Sequence, residues 1–286
     1  MKKEKNLFEK YFSVEKSYVV ALVIFLICLV VYNDYIFGKK IFLFRDIGSD
    51  TINIVFPWIM GAADYMGNGN EIGWSFSQGM GQNIFPFFYS DLFHWIVSYF
   101  DKASIPFLLV WLQIIKVVLS GTVFYKFLKE FKLSSYSSFL FSILFAFSGF
   151  IILGGCWTIF STEALCAVTI LYGFERWLNH RKFLWLVAGI TLMTFLQPFF
   201  LFMYTILLVP YAIVRYHDVY EKSGKQFYIF VAKTVGLAVI AVFMSSYQLF
   251  ADLLQYAESP RVGGEASLFD RLKQESMFGL ADEMLR

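Results

Sequence analysis

Long apolar runs separated by short basic connections dominate the chain. The runs fall at 17–37, 105–127, 137–155, 158–178, 183–196, 199–214 and 227–250. A helix crossing the hydrocarbon core of a bilayer needs about 20 apolar residues, so this pattern predicts an all-α, polytopic membrane protein with about seven transmembrane helices. The stretch 183–214 has no charge and is too long for one helix. Gln197-Pro198 divides it into two short helices with a turn between them, because proline cannot continue a helix from its interior.

The basic residues orient these helices. Lys2, Lys3, Lys5, Lys10 and Lys16 lie in segment 1–16 before the first run, and basic connections follow at Lys126–Lys132, Arg176–Lys182 and Arg215–Lys225. If every run spans, all four share one side, as the excess of Lys and Arg in cytoplasmic loops requires. The amino terminus is then cytoplasmic. Segment 38–104, the turns at 154–158 and Gln197-Pro198, and everything after Phe250 lie outside. The first run ends in Tyr32-Asn33-Asp34-Tyr35 and not in a small-residue cleavage site, so it reads as an anchor and not a cleaved signal peptide. Within the first outer loop, Asn83–Phe100 is aromatic enough to resemble another span. Making it one would place the Lys126–Lys132 cluster outside. It is therefore predicted to be an interfacial helix, with Phe85, Phe88, Leu92 and Tyr99 toward the membrane and Asp91 and His94 toward water. The domain plan is a basic terminus at 1–16, a membrane module at 17–250 with outer loop 38–104, and an outer segment at 251–286. The last segment stops without a closing element and reads as the start of a further region.

Composition agrees with this membrane reading. The chain is 58% hydrophobic and 16% charged, against about 45–50% and 25% for soluble domains. Its net charge of +2 and the placement of its aromatics within apolar runs argue against nucleic acid as a partner. Cys28, Cys156 and Cys166 form no loop-borne disulfide set and read as small packing residues. His94, His180 and His217 lack ligand-spaced partners, which argues against structural zinc.

Chemistry concentrates in the first outer loop. In Arg45-Asp46-Ile47-Gly48-Ser49-Asp50-Thr51-Ile52-Asn53, two carboxylates four residues apart share a helix face or flank a tight turn at lipid-headgroup level. A carboxylate there can take a proton from an acceptor hydroxyl or hold a divalent cation on a phosphate; the alternative is a solvated loop that caps a helix over 51–60. The second stretch runs Trp74-Ser75-Phe76-Ser77-Gln78-Gly79-Met80-Gly81-Gln82-Asn83 and continues to Tyr89, Asp91 and His94. Amides suit sugar hydroxyls and an indole face suits a pyranose, although a glycine-rich loop with interfacial aromatics has the same composition. Lys116 falls mid-span and Glu163 near an outer helix end, where ionisable groups are costly and mark candidate sites. For Lys116 the competing accounts are snorkelling and an interhelical bond; Lys233 reads as snorkelling. After the last run, Arg261 in Ser259-Pro260-Arg261 can neutralise a departing lipid phosphate, as can Lys39, Lys40 or Arg45.

These segments together resemble the amino-terminal region of the YfhO-type bacterial membrane proteins, within the integral-membrane GT-C glycosyltransferases. Four motifs carry the likeness: Asp46-Ile47-Gly48-Ser49-Asp50 with Pro57 following, Trp74 to Asn83, Phe145-Ala146-Phe147-Ser148-Gly149-Phe150, and Ser259-Pro260-Arg261. The resemblance implies transfer of a sugar from a polyprenyl-phosphate donor to an extracellular acceptor, such as teichoic acid or another envelope polymer. It implies a first-loop general base, Asp50 or Asp46, with Asp50 preferred for its distance from Pro57. The candidate substrate-binding set is Arg45, Asn53, Trp74, Gln78, Asn83, Tyr89, Asp91, His94, Glu163 and Arg261. The family commonly has Gln shortly after this Asp, whereas this chain has Asn53 and Ile54. One Asp pair is compatible with Mg²⁺ or Mn²⁺ and equally with no metal. The rival classes are a transporter or flippase coupled through Lys116 and Glu163, and a non-catalytic scaffold.

Overall fold

The computed structural model describes residues 14–44, 50–67, 73–76, 81–83, 91–220 and 224–258. Every apolar run in the sequence forms helix. Helix α1 spans Ser17–Val31 and a single turn, α2, follows at Asn33–Ile36. A π-helical turn at Thr51–Val55 leads into α3, Phe56–Gly67. A two-residue antiparallel pairing follows between β1 (Trp74–Ser75) and β2 (Gln82–Asn83), with Trp74 opposite Asn83. The short α4 covers Leu92–Val97. The bundle continues with α5 (Ile105–Glu130), α6 (Ser135–Ala146), α7 (Gly149–Gly154), a 3₁₀ turn at Gly155–Trp157, α8 (Ile159–His180), α9 (Leu184–Leu196), α10 (Pro198–Val219) and α11 (Lys225–Met244). Helix α12, Ser246–Glu258, belongs to a second compact unit that begins at Ser246.

Among the described residues, four stretches are long and apolar enough to cross a membrane: Ile105–Glu130, Ser135–Trp157, Pro198–Val219 and Lys225–Met244. The other three runs differ for visible reasons. Helix α1 has 15 residues and α9 has 13, which at 1.5 Å per residue gives about 22 and 20 Å, short of a core of about 30 Å. Helix α8 is long enough, with 22 residues, but carries Glu163, Glu175 and Arg176. Gln197 is extended at φ −166°, and α10 begins at Pro198, so the proline break falls at the expected turn. Helix α10 runs past 214 to Val219, with Pro210 inside it.

Spacing along the helices decides what packs where. In α1, Val20, Ile24 and Cys28 recur every four residues, form one buried stripe, and join the core around α5. The Tyr125 hydroxyl on α5 donates to the Val14 carbonyl at 2.7 Å and ties the residues just before α1 to the bundle. A second core gathers residues of α8, α9, α10 and α11 around Phe174, Trp177, Leu186 and Phe230. Helices α8 and α9 pack backbone to backbone at Gly173, where an added Cβ would collide with main-chain atoms of Trp185 and Leu186. All three cysteines are buried and free, in agreement with a packing role.

Buried polar groups cross-link the helices near the basic connections. Glu175, with a fully buried side chain, accepts from Arg215 Nε and Nη2 at 2.9 Å each and from the Tyr211 hydroxyl at 2.6 Å. Glu130 accepts from Arg176 at 3.4 Å and lies 2.9 Å from His180 Nε2. These contacts tie α5, α8 and α10 together. Several cations of the basic connections therefore serve as structural partners as well as topological signals.

Candidate functional site at the first outer loop

Asp50 stands immediately before the π-helical turn, in helical backbone geometry, with its side chain exposed and free of any capping bond. Its Oδ2 accepts from Trp157 Nε1 at 3.2 Å. Trp157 closes the 3₁₀ turn that links α7 to α8, so one hydrogen bond joins two segments 107 residues apart. Asn53 is exposed on the same π turn. Asp50 was expected either to act chemically or to cap the following helix; it makes no cap.

Beneath this contact is a buried polar cluster. Asp91 caps α4 by accepting from Phe93 N at 2.9 Å. Its other oxygen accepts from Lys116 Nζ at 3.1 Å and Thr162 Oγ1 at 2.9 Å, with Asp91 and Lys116 each only 1% exposed. Lys116 Nζ also donates to the Thr158 carbonyl at 3.1 Å and lies over the Phe93 ring at 4.9 Å. Ser161 Oγ is 2.8 Å from the same carbonyl and 2.9 Å from Gln113 Oε1, and its single proton serves one acceptor at a time. Gln113 Nε2 donates to the Ile151 carbonyl at 3.0 Å. The Gln113 amide lies so close to Gly155 that an added Cβ there would overlap it.

Thr158 has φ +56° and ψ −45°, a costly backbone for a β-branched residue. Its carbonyl is thereby presented to Lys116 while Trp157, the preceding residue, reaches Asp50. The buried ion pair and the exposed carboxylate are thus connected through two consecutive residues.

The expectation that Asp91 and His94 face water is corrected. Asp91 is enclosed, and His94 Nε2 lies 3.8 Å from Asp91 with its side chain 14% exposed. Burial pushes the His94 imidazole down to about 4, so it is neutral at physiological pH despite the neighbouring carboxylate. For Asp91, burial opposes ionisation, but Lys116, His94, the Phe93 amide and the Thr162 hydroxyl together hold the carboxyl below its usual range. The exposed positions of that helix are Leu92 and Ile96, and Tyr99 beyond its end is exposed as well. A six-residue helix whose cap is an acid carries that acid inward when a lysine awaits it in the bundle. Phe85 and Phe88 lie outside the described residues.

The remaining candidates are spread over the loop and bundle. Trp74 and Phe76 are exposed and meet edge to face at 6.3 Å, and the Tyr65 hydroxyl donates to the Trp74 carbonyl at 3.0 Å. Asn83 is placed by its backbone pairing alone. Glu163 is one residue beyond Thr162, about 100° further round α8, and lies beside Tyr204 of α10 instead of joining the Asp91 cluster. Arg45, Asp46, Gln78, Tyr89 and Arg261 lie outside the described residues.

The model of the bacterial membrane protein YfhO family matches residues 17–282. The chain belongs to that family. No curated protein and no solved structure matches it. Membership agrees with an all-α membrane protein and is compatible with a membrane glycosyltransferase. Within the matched span, the structure adds Trp157, Thr158, Thr162, Ser161 and Gln113 to the site. A sequence signal existed for three of them: Gln113 lies one turn from Lys116 on α5, and Ser161 and Thr162 lie in the first turn of α8.

Proposed function

We propose that the chain is the membrane-embedded part of a glycosyltransferase that moves a sugar from a polyprenyl-phosphate donor to an acceptor hydroxyl of an envelope polymer such as teichoic acid. The observation that carries this reading is the exposed Asp50 carboxylate, held by Trp157 above the buried Asp91–Lys116 pair. A base must be positioned and yet reachable by its substrate, and Asp50 is both.

In the proposed reaction the acceptor hydroxyl gives its proton to Asp50 as its oxygen attacks the anomeric carbon. The bond from that carbon to the lipid phosphate breaks, and the phosphate leaves with the electron pair, toward Arg261 or Arg45. One displacement inverts the anomeric centre, and Asp50 then releases its proton to water. The Trp157 indole N–H stabilises the ionised carboxylate before attack. Exposed Trp74 offers its face to the sugar, with Asn53 and the amides of the second motif as hydroxyl partners. Asp46, which with Asp50 would supply the carboxylate pair for Mg²⁺ or Mn²⁺, lies outside the described residues, and the reaction is written with the Asp50 carboxylate as base. In the accompanying topology the amino terminus and basic connections are cytoplasmic and the Asp50 site is outside.

The test compares wild type with Asp50→Asn at equal protein level, in native membranes supplied with a labelled polyprenyl-phosphate sugar. Loss of a general base lowers transfer about 10²–10⁴-fold. Unchanged transfer into polymer removes Asp50 from the chemistry.

A further inference from the structure

At the end of the bundle that carries the basic connections, far along α8 from Thr162, a cavity of about 360 Å³ opens between α8, α10 and α11. Trp177, Tyr216, Tyr220 and Phe230 line it, with Arg181, Lys233 and Gln226 at its edge. Trp177 Nε1 is committed to Thr234 Oγ1 at 2.9 Å, and the Tyr220 hydroxyl donates to the Leu178 carbonyl at 2.9 Å. The walls are thus fixed by bonds that cross the helices.

Arg181 is the unusual feature. It caps α8 with φ +58°, a left-handed position where glycine costs least. The guanidinium lies 5.3–5.6 Å from the rings of Tyr220, Phe230 and Trp177 and donates to the Tyr220 hydroxyl at 3.2 Å. Among the described residues, no carboxylate lies within ion-pair distance of Arg181 or Lys233. Nearby Arg176 and Arg215, in contrast, are each paired with an acid. Arg181 at the end of α8 and Lys233, two turns into α11, line one aromatic pocket, and two unpaired cations beside aromatic rings have the chemistry of an anionic headgroup site.

We propose that this cavity binds a phosphate-bearing anion, with Arg181 and Lys233 on the phosphate oxygens and the aromatic wall against the glycerol or acyl portion. In the proposed topology this is the inner-leaflet side, distinct from the Asp50 site, and the recognition chemistry does not depend on that orientation. A membrane phospholipid and a soluble phosphate compound share the chemistry, and the experiment separates them.

The purified full chain in neutral maltoside micelles is melted with increasing palmitoyl-oleoyl phosphatidylglycerol, with phosphatidylcholine of the same chains, or with inorganic phosphate. Phosphatidylglycerol is expected to raise the melting temperature saturably, and phosphatidylcholine to leave it unchanged. Each lost charge should weaken the apparent affinity about fivefold, so Arg181→Gln with Lys233→Gln weakens it on the order of twentyfold. Lys233→Gln alone, on an exposed side chain, decides the matter if the double variant fails to fold; Lys233→Arg should restore binding. A saturable shift with inorganic phosphate that the same variants weaken supports the pocket with a soluble ligand. Equal stabilisation by phosphatidylcholine, or undiminished phosphatidylglycerol affinity in Lys233→Gln, overturns the proposal.

Discussion

Removing the ammonium of Lys116 gives the sharpest test of how the outer loop is held. In Lys116→Met the volume is nearly kept, but Asp91, 1% exposed, retains only the Phe93 amide and the Thr162 hydroxyl. Deleting one member of a buried ion pair costs about 3–5 kcal/mol, because the other charge is left uncompensated. The Thr158 carbonyl still has Ser161 as a donor, so its loss adds little. The double variant Lys116→Met, Asp91→Asn removes both charges and keeps an oxygen for the cap of the short helix. It should recover on the order of 2 kcal/mol of the deficit. Unfolding of the full chain by SDS in mixed micelles, followed by circular dichroism, measures all four corners of the cycle. If Lys116→Met is within about 1 kcal/mol of wild type, or the double variant is as unstable as the single, the pair does not hold the loop and the positioning chain to Asp50 fails.

Three further outcomes follow from the same geometry. Trp157→Phe keeps the ring and loses only the Nε1 donor to Asp50; labelled-sugar transfer should fall about tenfold, the worth of one bond to a charged group, with protein level unchanged. Because the His94 imidazole sits at about 4 when folded against an ordinary 6.5, the unfolded chain binds the extra proton between those values. Stability is full above 6.5 and falls as pH drops toward 4, by about 2 kcal/mol at about pH 5, and His94→Gln should show a smaller drop in melting temperature between about pH 7.5 and pH 5. Gly173→Val forces a side chain into the backbone of Trp185 and Leu186, and should destabilise the bundle by about 1–3 kcal/mol or more in the same SDS titration.

Helices were legible because the bilayer pattern is strong: each of the seven apolar runs forms helix, and a turn falls at Gln197-Pro198 where the charge-free segment had to break. Span lengths were less legible, since α1 ends at Val31, before its apolar run does, and α9 fills its run with only 13 residues. Asp50 stood out as a candidate from its neighbours and from the family resemblance, but its Trp157 contact could not be read, because the two residues meet only after six intervening helical segments fold. Asp91 and His94 were misplaced because a local pattern assigns charge to water, whereas Lys116, 25 residues on, offered Asp91 a partner inside. Lys116 itself allowed two readings, and the interhelical bond outcompetes snorkelling because its carboxylate is within reach. The Glu175–Arg215 pair went unread for the same reason: each partner by itself looks like an ordinary charge near a helix end.

The Asp91–Lys116 pair also constrains how this protein can diverge. Neither residue can change alone without an intermediate that buries a lone charge, so descendants must cross that valley by near-simultaneous substitution or remain on one side of it. Among relatives the two positions are therefore expected to be both charged or both neutral, and single departures to come with a new partner at Thr162 or Thr158. Asp50 and Trp157, in solvent reach, face no such barrier to stepwise change; only their function would keep them together.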